Sequence, residues 1–129
     1  MSQENVEIVK NAYRGLDERG VDGLLEFVHE DVEYLPVEEG RAVRRHDGMR
    51  RYIERWLDSW DAFRVVPTEF RESGEDVFIA FAMNGRGRGS GVEVAREGFQ
   101  VWHFRDGVGA RIEEYVDRAE ALEAVGLSE

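Results

Sequence analysis

The side chains of this chain that could do chemistry are mostly carboxylates and phenols. Cysteine is absent, which removes thiol nucleophiles, disulfides and cysteine metal sites together. Three histidines, His29, His46 and His103, show no paired metal spacing. Ser90 lacks the spacing of a nucleophile elbow and has no evident triad partners. Acid–base chemistry by carboxylates, phenols or His103 stays open. The segment best suited to it is the C-terminal hairpin, where the strand Phe99 to Phe104 enters the turn Arg105-Asp106-Gly107 and a second strand, Gly109 to Val116, follows. These strands keep aromatic and acidic residues in phase, and only helices upstream can cover them. A curved sheet folded around a pocket is therefore predicted.

Val6, Val9, Tyr13 and Leu16 recur at helical spacing, with Ser2 as a cap and Gly20 as a stop. Asp22 is expected to cap a shorter helix carrying Leu24, Leu25, Phe27 and Val28. Val32 to Val37 reads as a short strand that Pro36 places at an edge. Glu38 to Arg45 reads as a loop, and Asp47 as the cap of a third helix with Met49, Tyr52, Ile53, Trp56, Leu57 and Trp60 on one stripe. From Phe63 the pattern turns to strands: Phe63 to Arg71, Val77 to Arg86, Val92 to Arg105 and Gly109 to Val116. Turn signals separate them at Ser73-Gly74, Gly85 to Gly91 and Asp106-Gly107. Asp117 with Glu120 resembles a capping box for a last helix that stops at Gly126.

Helices first and an antiparallel meander second is an α+β order, and 129 residues make one domain, 1–129. The early helices cover one face of the sheet. Val77 to Met83 is apolar at both parities, so its second face needs cover as well, and a second copy of the chain is the expected partner. The formal net charge of −11 repels phosphate backbones and argues against nucleic acid. No apolar run approaches the roughly 18 residues of a membrane span, and the polar start lacks a secretory segment, so a cytoplasmic setting is expected.

Several pieces, in their order, resemble a known superfamily. Ala12 to Leu16, Val21 to Leu24 and Asp31 to Tyr34 resemble the opening of the nuclear transport factor 2-like proteins. His46-Asp47-Gly48, Val101 to Gly107 and Glu114 to Leu122 are similar to the SnoaL-like, ketosteroid-isomerase-related branch. The resemblance implies a cone, in which a curved antiparallel sheet wraps around the N-terminal helices, with a pocket at one end and a dimer as the usual state. It does not imply one reaction, because the superfamily holds isomerases, cyclases, epoxide hydrolases and non-enzymatic binders.

With the phase set by that resemblance, Gln100, Trp102 and Phe104 face inward on the third long strand. Ile112, Glu114 and Val116 do so on the last strand, and Phe78, Ala80, Ala82 and Asn84 on the second. A slip of one residue would exchange the faces and bring His103 inside in place of Trp102. Glu114 in an aromatic hollow is expected to have a raised pKa and to serve as base or acid; pairing with Arg96 is the structural alternative. Tyr13 resembles, by position, the tyrosine with which ketosteroid isomerases hydrogen-bond an enolate oxygen, and simple packing is its alternative. Tyr34 and Leu35 stand where those isomerases carry their aspartate base, and Gln100 where they carry a protonated aspartate. Neither carboxylate is present, so steroid isomerisation lacks its base.

The remaining signals have plainer readings. Phe27, Trp56, Trp60, Phe78, Asn84, Trp102 and Ile112 are candidate ligand contacts, with core packing as the alternative for the aromatic ones. His103 is placed on the sheet surface or a dimer interface, and Asp117 at a helix cap, the alternative being a catalytic role shared between them. Gly85 to Gly91 joins two strands and opens no helix, so it reads as a hairpin turn and not a phosphate loop. Arg44 and Arg45 could meet an anionic ligand at a pocket rim, though a solvated face explains them as well. The epoxide hydrolase pattern needs an inward arginine between two aspartates, which Arg96 and Glu114 do not supply.

Two functional readings stay open. One is a cofactor-free acid–base enzyme, isomerase- or cyclase-like, acting on a small apolar oxygenated molecule, with Glu114 as base or acid and Tyr13, Tyr34 and Gln100 as donors to a developing oxyanion. The other is a non-catalytic module that binds a hydrophobic ligand or dimerises through its sheet. No metal or cofactor is called for by either.

Overall fold

The computed structural model describes residues 2–37 and 39–129. Helix α1 spans Ser2–Arg19, and Gly20, at φ 75°, breaks it before the short α2, Val21–Leu25. A Cβ on Gly15 would sit 2.2 Å from the Gly23 carbonyl oxygen, so α1 and α2 meet backbone to backbone. Only glycine fits that approach. The chain continues as β1 (Val28–Leu35), β2 (Val43–Arg44) and α3 (Arg45–Asp58), then β3 (Trp60–Ser73) and β4 (Asp76–Gly87). It closes with β5 (Glu93–Arg105), β6 (Val108–Tyr115) and α4 (Arg118–Ala124).

Asp117 caps α4 as expected, accepting from the Ala119 N–H at 2.8 Å and the Glu120 N–H at 3.4 Å. The other caps differ. Gly20 and Arg44 hold the N-cap positions of α2 and α3, without side-chain cap bonds. Asp22 and Asp47 lie instead in the first turns, where a negative charge suits the helix dipole. Val28 opens β1 instead of extending α2, and Val43–Arg44 forms a strand inside the expected loop. The Ser2 cap concerns a side chain outside the described residues, and so does the Glu38 end of that loop.

The six strands run in the order β2-β1-β6-β5-β4-β3 in one curved, unclosed sheet. Neighbours are antiparallel except β1 and β6, which run parallel. The sheet is thus mixed, not wholly antiparallel: the meander ends beside a strand laid down before it, in the same direction. Register shifts interrupt the β1–β6, β3–β4 and β5–β6 ladders, and such bulges bend the strands they occupy.

The helices α1 and α3 pack on one face, α1 against β3 and β4 and α3 against β1. The main core lies there, built from residues such as Val9, Val32, Val77, Ile79, Trp102 and Ile112. A second cluster joins Phe78, Ala80, Phe99 and Val101 to Ala121 and Leu122 of α4 on the opposite face. The second apolar face of β4 is therefore covered in part by the chain's own last helix. Arg118 clips that helix down, 2.9 Å from Glu69 on β3 and 5.4 Å above the Phe78 ring. The architecture is α+β, with α1 and α3 on one face of the curved sheet and α4 on the other.

Candidate functional site

A cavity of about 120 Å³ opens between the helices and the inner sheet face. Trp102, Ile112 and Met49, all essentially buried, line its closed end. Val37 and Val116, 43% and 66% exposed, line its mouth together with Arg96 and Glu97. Aromatic rings from every layer supply the walls, among them Tyr52 and Trp56 of α3 and Phe81 of β4.

Glu114 is the point on which the polar groups of this cavity converge. On β6 it sits opposite Gln100 of β5, and paired residues share a face, so both project inward. Its Oε2 accepts from the Tyr34 hydroxyl at 2.6 Å and from Gln100 Nε2 at 2.9 Å, while Oε1 accepts from the Val37 backbone N–H at 3.4 Å. Gln100 Oε1 in turn accepts from the Tyr13 hydroxyl at 3.0 Å and from Trp102 Nε1 at 2.9 Å. The direction of these bonds follows from one donor-only group. An indole N–H cannot accept, so Trp102 holds the amide oxygen of Gln100 towards itself and the amide nitrogen towards Glu114. Tyr13 must then donate.

Local structure places each member of this network. Tyr13 belongs to the inward stripe of α1. Tyr34 comes from β1 because that strand runs parallel beside β6, pairing Tyr34 with Ile112. The Trp102 ring lies against Gly109, where a Cβ would come within 2.6 Å of it. Burial pushes the Tyr13 phenol well above its ordinary pKa, and the nearby Glu114 charge adds to the shift. Tyr34 moves the same way, from burial first, then the Glu114 charge and the hydrogen bond to it. Both phenols therefore keep their protons at neutral pH.

The profile of the SnoaL-like domain matches residues 9–115, which include all of this network. The chain belongs to the SnoaL-like domain family. Solved structures agree on the fold. TerC, crystallised with polyporic acid, has a TM-score of 0.78 at 24% identity, covering 95% of this chain and 97% of its own. An NTF2-like protein of unknown function from Burkholderia pseudomallei has a TM-score of 0.79 at 23% identity, covering 95% and 98%. A candidate SnoaL-like polyketide cyclase from Jannaschia sp. reaches 0.80 at 16% identity, covering 99% and 95%. No curated protein matches the chain. Identities this low speak to fold, and the cone-like α+β architecture is common to the group.

Within this SnoaL-like domain, the side chains expected inward divide. Tyr13, Tyr34, Trp56, Gln100, Trp102, Ile112 and Glu114 all line the cavity. Phe78 and Asn84 do not, because β4 has the opposite phase. Ile79 pairs with Gln100 and Phe81 with Gly98, so the odd-numbered residues of β4 face in. Phe78 lies under α4, and Asn84 is exposed on the outer face. Ala80, expected inward with them, joins the outer cluster for the same reason. The run Val77 to Met83 is apolar on both faces, which leaves no alternation to set the phase.

Two further aromatics stand elsewhere. Phe27, at the junction of α2 and β1, packs into the main core. Trp60 stands behind the wall, its ring 5.5 Å from Trp56 and 5.6 Å from Phe63, both of which line the cavity. Residues unmarked in the sequence as contacts include Tyr52, Phe63, Phe81 and Met83. Tyr52 belongs to the α3 stripe and was visible as core; Phe81 and Met83 follow once the β4 phase is known.

His103 lies on the outer face, with Nδ1 3.1 Å from Asp76 and Nε2 3.0 Å from Glu113. Its ring partners are thus not Asp117, which caps α4. Arg44 and Arg45 pair with Glu33 and Asp31 of β1. No helix among the described residues is long and apolar enough to cross a membrane.

Proposed function

We propose that this protein takes a small, largely apolar oxygenated molecule into the cavity and acts on it by acid–base chemistry, with Glu114 as the base. The observation that carries this reading is the convergence of Tyr34, Gln100 and the Val37 N–H on one carboxylate inside an aromatic-lined hollow. A base is effective when its lone pairs are held where a reacting proton will arrive, and these bonds fix the carboxylate in that way. Tyr13 and Trp102 act one step back, by holding Gln100. The hollow has about the size class of an engineered cavity of about 150 Å³ that takes up benzene, so one ring fits inside and a larger molecule extends through the mouth.

Incubating the protein in D2O with small cyclic hydroxyketones, and reading carbon-bound deuterium by NMR, tests the chemistry before any product is known. Exchange that exceeds buffer and is lost in Glu114→Gln supports the reading. Exchange and ligand binding that both survive Glu114→Gln overturn it. A second reading, a binder without turnover, is favoured by the apolar walls, and predicts binding with no exchange in either protein.

Pairing of two copies through the outer sheet face belongs to the same proposal. The support is the part of that face beyond α4, where Val66 remains 42% exposed. A monomer across the micromolar range in sedimentation would remove it.

A further inference from the structure

We infer that the cavity selects ligands that enter hydroxyl first, presenting an O–H donor to the Tyr13, Tyr34 and Glu114 oxygens, and disfavours ligands whose inner end is a carbonyl. The inference rests on the cavity being a ligand site, as proposed above, and adds the polarity of the group recognised there. It comes from where the protons of the network already point.

Four of the donors on the cavity wall converge on Gln100 and Glu114, and each has its partner there. Trp102 Nε1–H and the Tyr13 hydroxyl are both spent on Gln100 Oε1. The Tyr34 hydroxyl and one N–H of Gln100 are spent on Glu114 Oε2. The indole cannot reverse its bond, so the amide cannot turn over without losing it, and Tyr13 cannot turn its proton elsewhere without abandoning the amide oxygen. Burial keeps both phenols protonated, which preserves the pattern at neutral pH. What these groups still offer is lone pairs on two phenol oxygens and on an acceptor-only carboxylate, against the second N–H of one neutral amide.

A carbonyl placed here would meet mostly other acceptors, and desolvating it without donors is costly. A hydroxyl meets acceptors, among them the carboxyl oxygens on which the donors of the network converge. This reverses the expectation that Tyr13, Tyr34 and Gln100 are donors to a developing oxyanion. Arg96, the strong donor on the same wall, is four residues from Gln100 along β5, about 13 Å at strand rise. Its exposed backbone position lies at the mouth beside Glu97, away from the Gln100 amide.

Matched probes test this directly. Cyclohexanol and cyclohexanone have nearly the same shape and differ in donor against acceptor; methylcyclohexane lacks both, and cyclohexylamine adds a charged N–H donor. Affinities are read by ligand-observed NMR or by quenching of Trp56 and Trp102 fluorescence. Cyclohexanol is expected to bind about tenfold or more tightly than cyclohexanone. In Glu114→Gln the ratio is expected to fall towards one, since an amide can accept or donate by turning; the wild-type ratio decides alone if that variant does not fold. A ratio near or below one in the wild type overturns the inference while leaving a ligand cavity in place. No binding of any probe removes the cavity reading and this inference with it. Tighter binding of cyclohexylamine than of cyclohexanol overturns the hydroxyl assignment in favour of an ammonium group.

Discussion

The Tyr34 hydroxyl and the Glu114 carboxylate lie 2.6 Å apart although 80 residues separate them in the chain. The parallel pairing of β1 with β6 brings them together, with Tyr34 in register with Ile112 and Glu114 two residues further on. Removing the Tyr34 oxygen takes one donor from the carboxylate in a part-buried setting. Tyr34→Phe, which keeps the ring and its edge contact with Tyr52 at 5.5 Å, is expected to lower stability by about 1–3 kcal/mol. Chemical denaturation would show it, and a variant as stable as the parent would mean the bond contributes nothing.

The raised phenols make stability depend on alkaline pH. Tyr13 and Tyr34 titrate higher in the folded chain than in the unfolded one, where a phenol has a pKa of about 10. The unfolded state therefore gives up these protons first as pH rises. Their contribution is fully present below about pH 10 and is lost as pH climbs towards the folded-state values. Tyr13 and Tyr34 should resist ionisation in an ultraviolet titration until the protein unfolds. The double variant Tyr13→Phe with Tyr34→Phe should flatten the alkaline decline; a decline of unchanged slope would refute the assignment.

The phase of β4 can be tested by two phenylalanines three positions apart. Phe81→Ala opens the cavity wall and should admit bulkier probes, while Phe78→Ala should leave probe affinity unaltered and loosen α4. Each truncation is expected to cost about 3–5 kcal/mol of stability, with Phe81, nearer the hollow, at the low end. Probe binding that changes with Phe78 and not with Phe81 would put the wrong residue inside.

The clip on α4 is electrostatic and should respond to acid. Arg118, through its hydrogen bond, holds the Glu69 carboxyl below its ordinary pKa. That contribution is present above the unfolded carboxyl value and is lost as pH falls through the folded one. Because the pair is partly solvated, the effect on global stability is small. Amide exchange in α4 is the sensitive measurement: it should quicken in Glu69→Gln, and unchanged protection would show that Ala121 and Leu122 hold the helix unaided.

Overpacking gives a test of how Trp102 is set. Gly109→Ala places a methyl within 2.6 Å of the indole, which must move and draw its N–H from Gln100. The expected cost is about 1–3 kcal/mol, with weaker discrimination between cyclohexanol and cyclohexanone. Retained discrimination would mean the indole does not orient the amide.

Sequence alone determined the order of the helices and the long strands, the C-terminal hairpin and the Asp117 cap. Those features are local: turn residues, periodicity and capping spacing operate over a few neighbours. The inward phase of Gln100, Trp102 and Glu114 came from the family resemblance, since alternation alone leaves either face open. Tertiary structure decided the rest. The phase of Phe78 and Phe81 had no local signal, because both faces of β4 are apolar, one under the early helices and the other under α4. The meeting of Tyr34 with Glu114 depends on a parallel pairing between strands far apart in the chain, which no local pattern specifies. The direction of the hydrogen bonds needed coordinates too. A glutamine can present either end, and only its contact with the donor-only indole of Trp102 chooses between them.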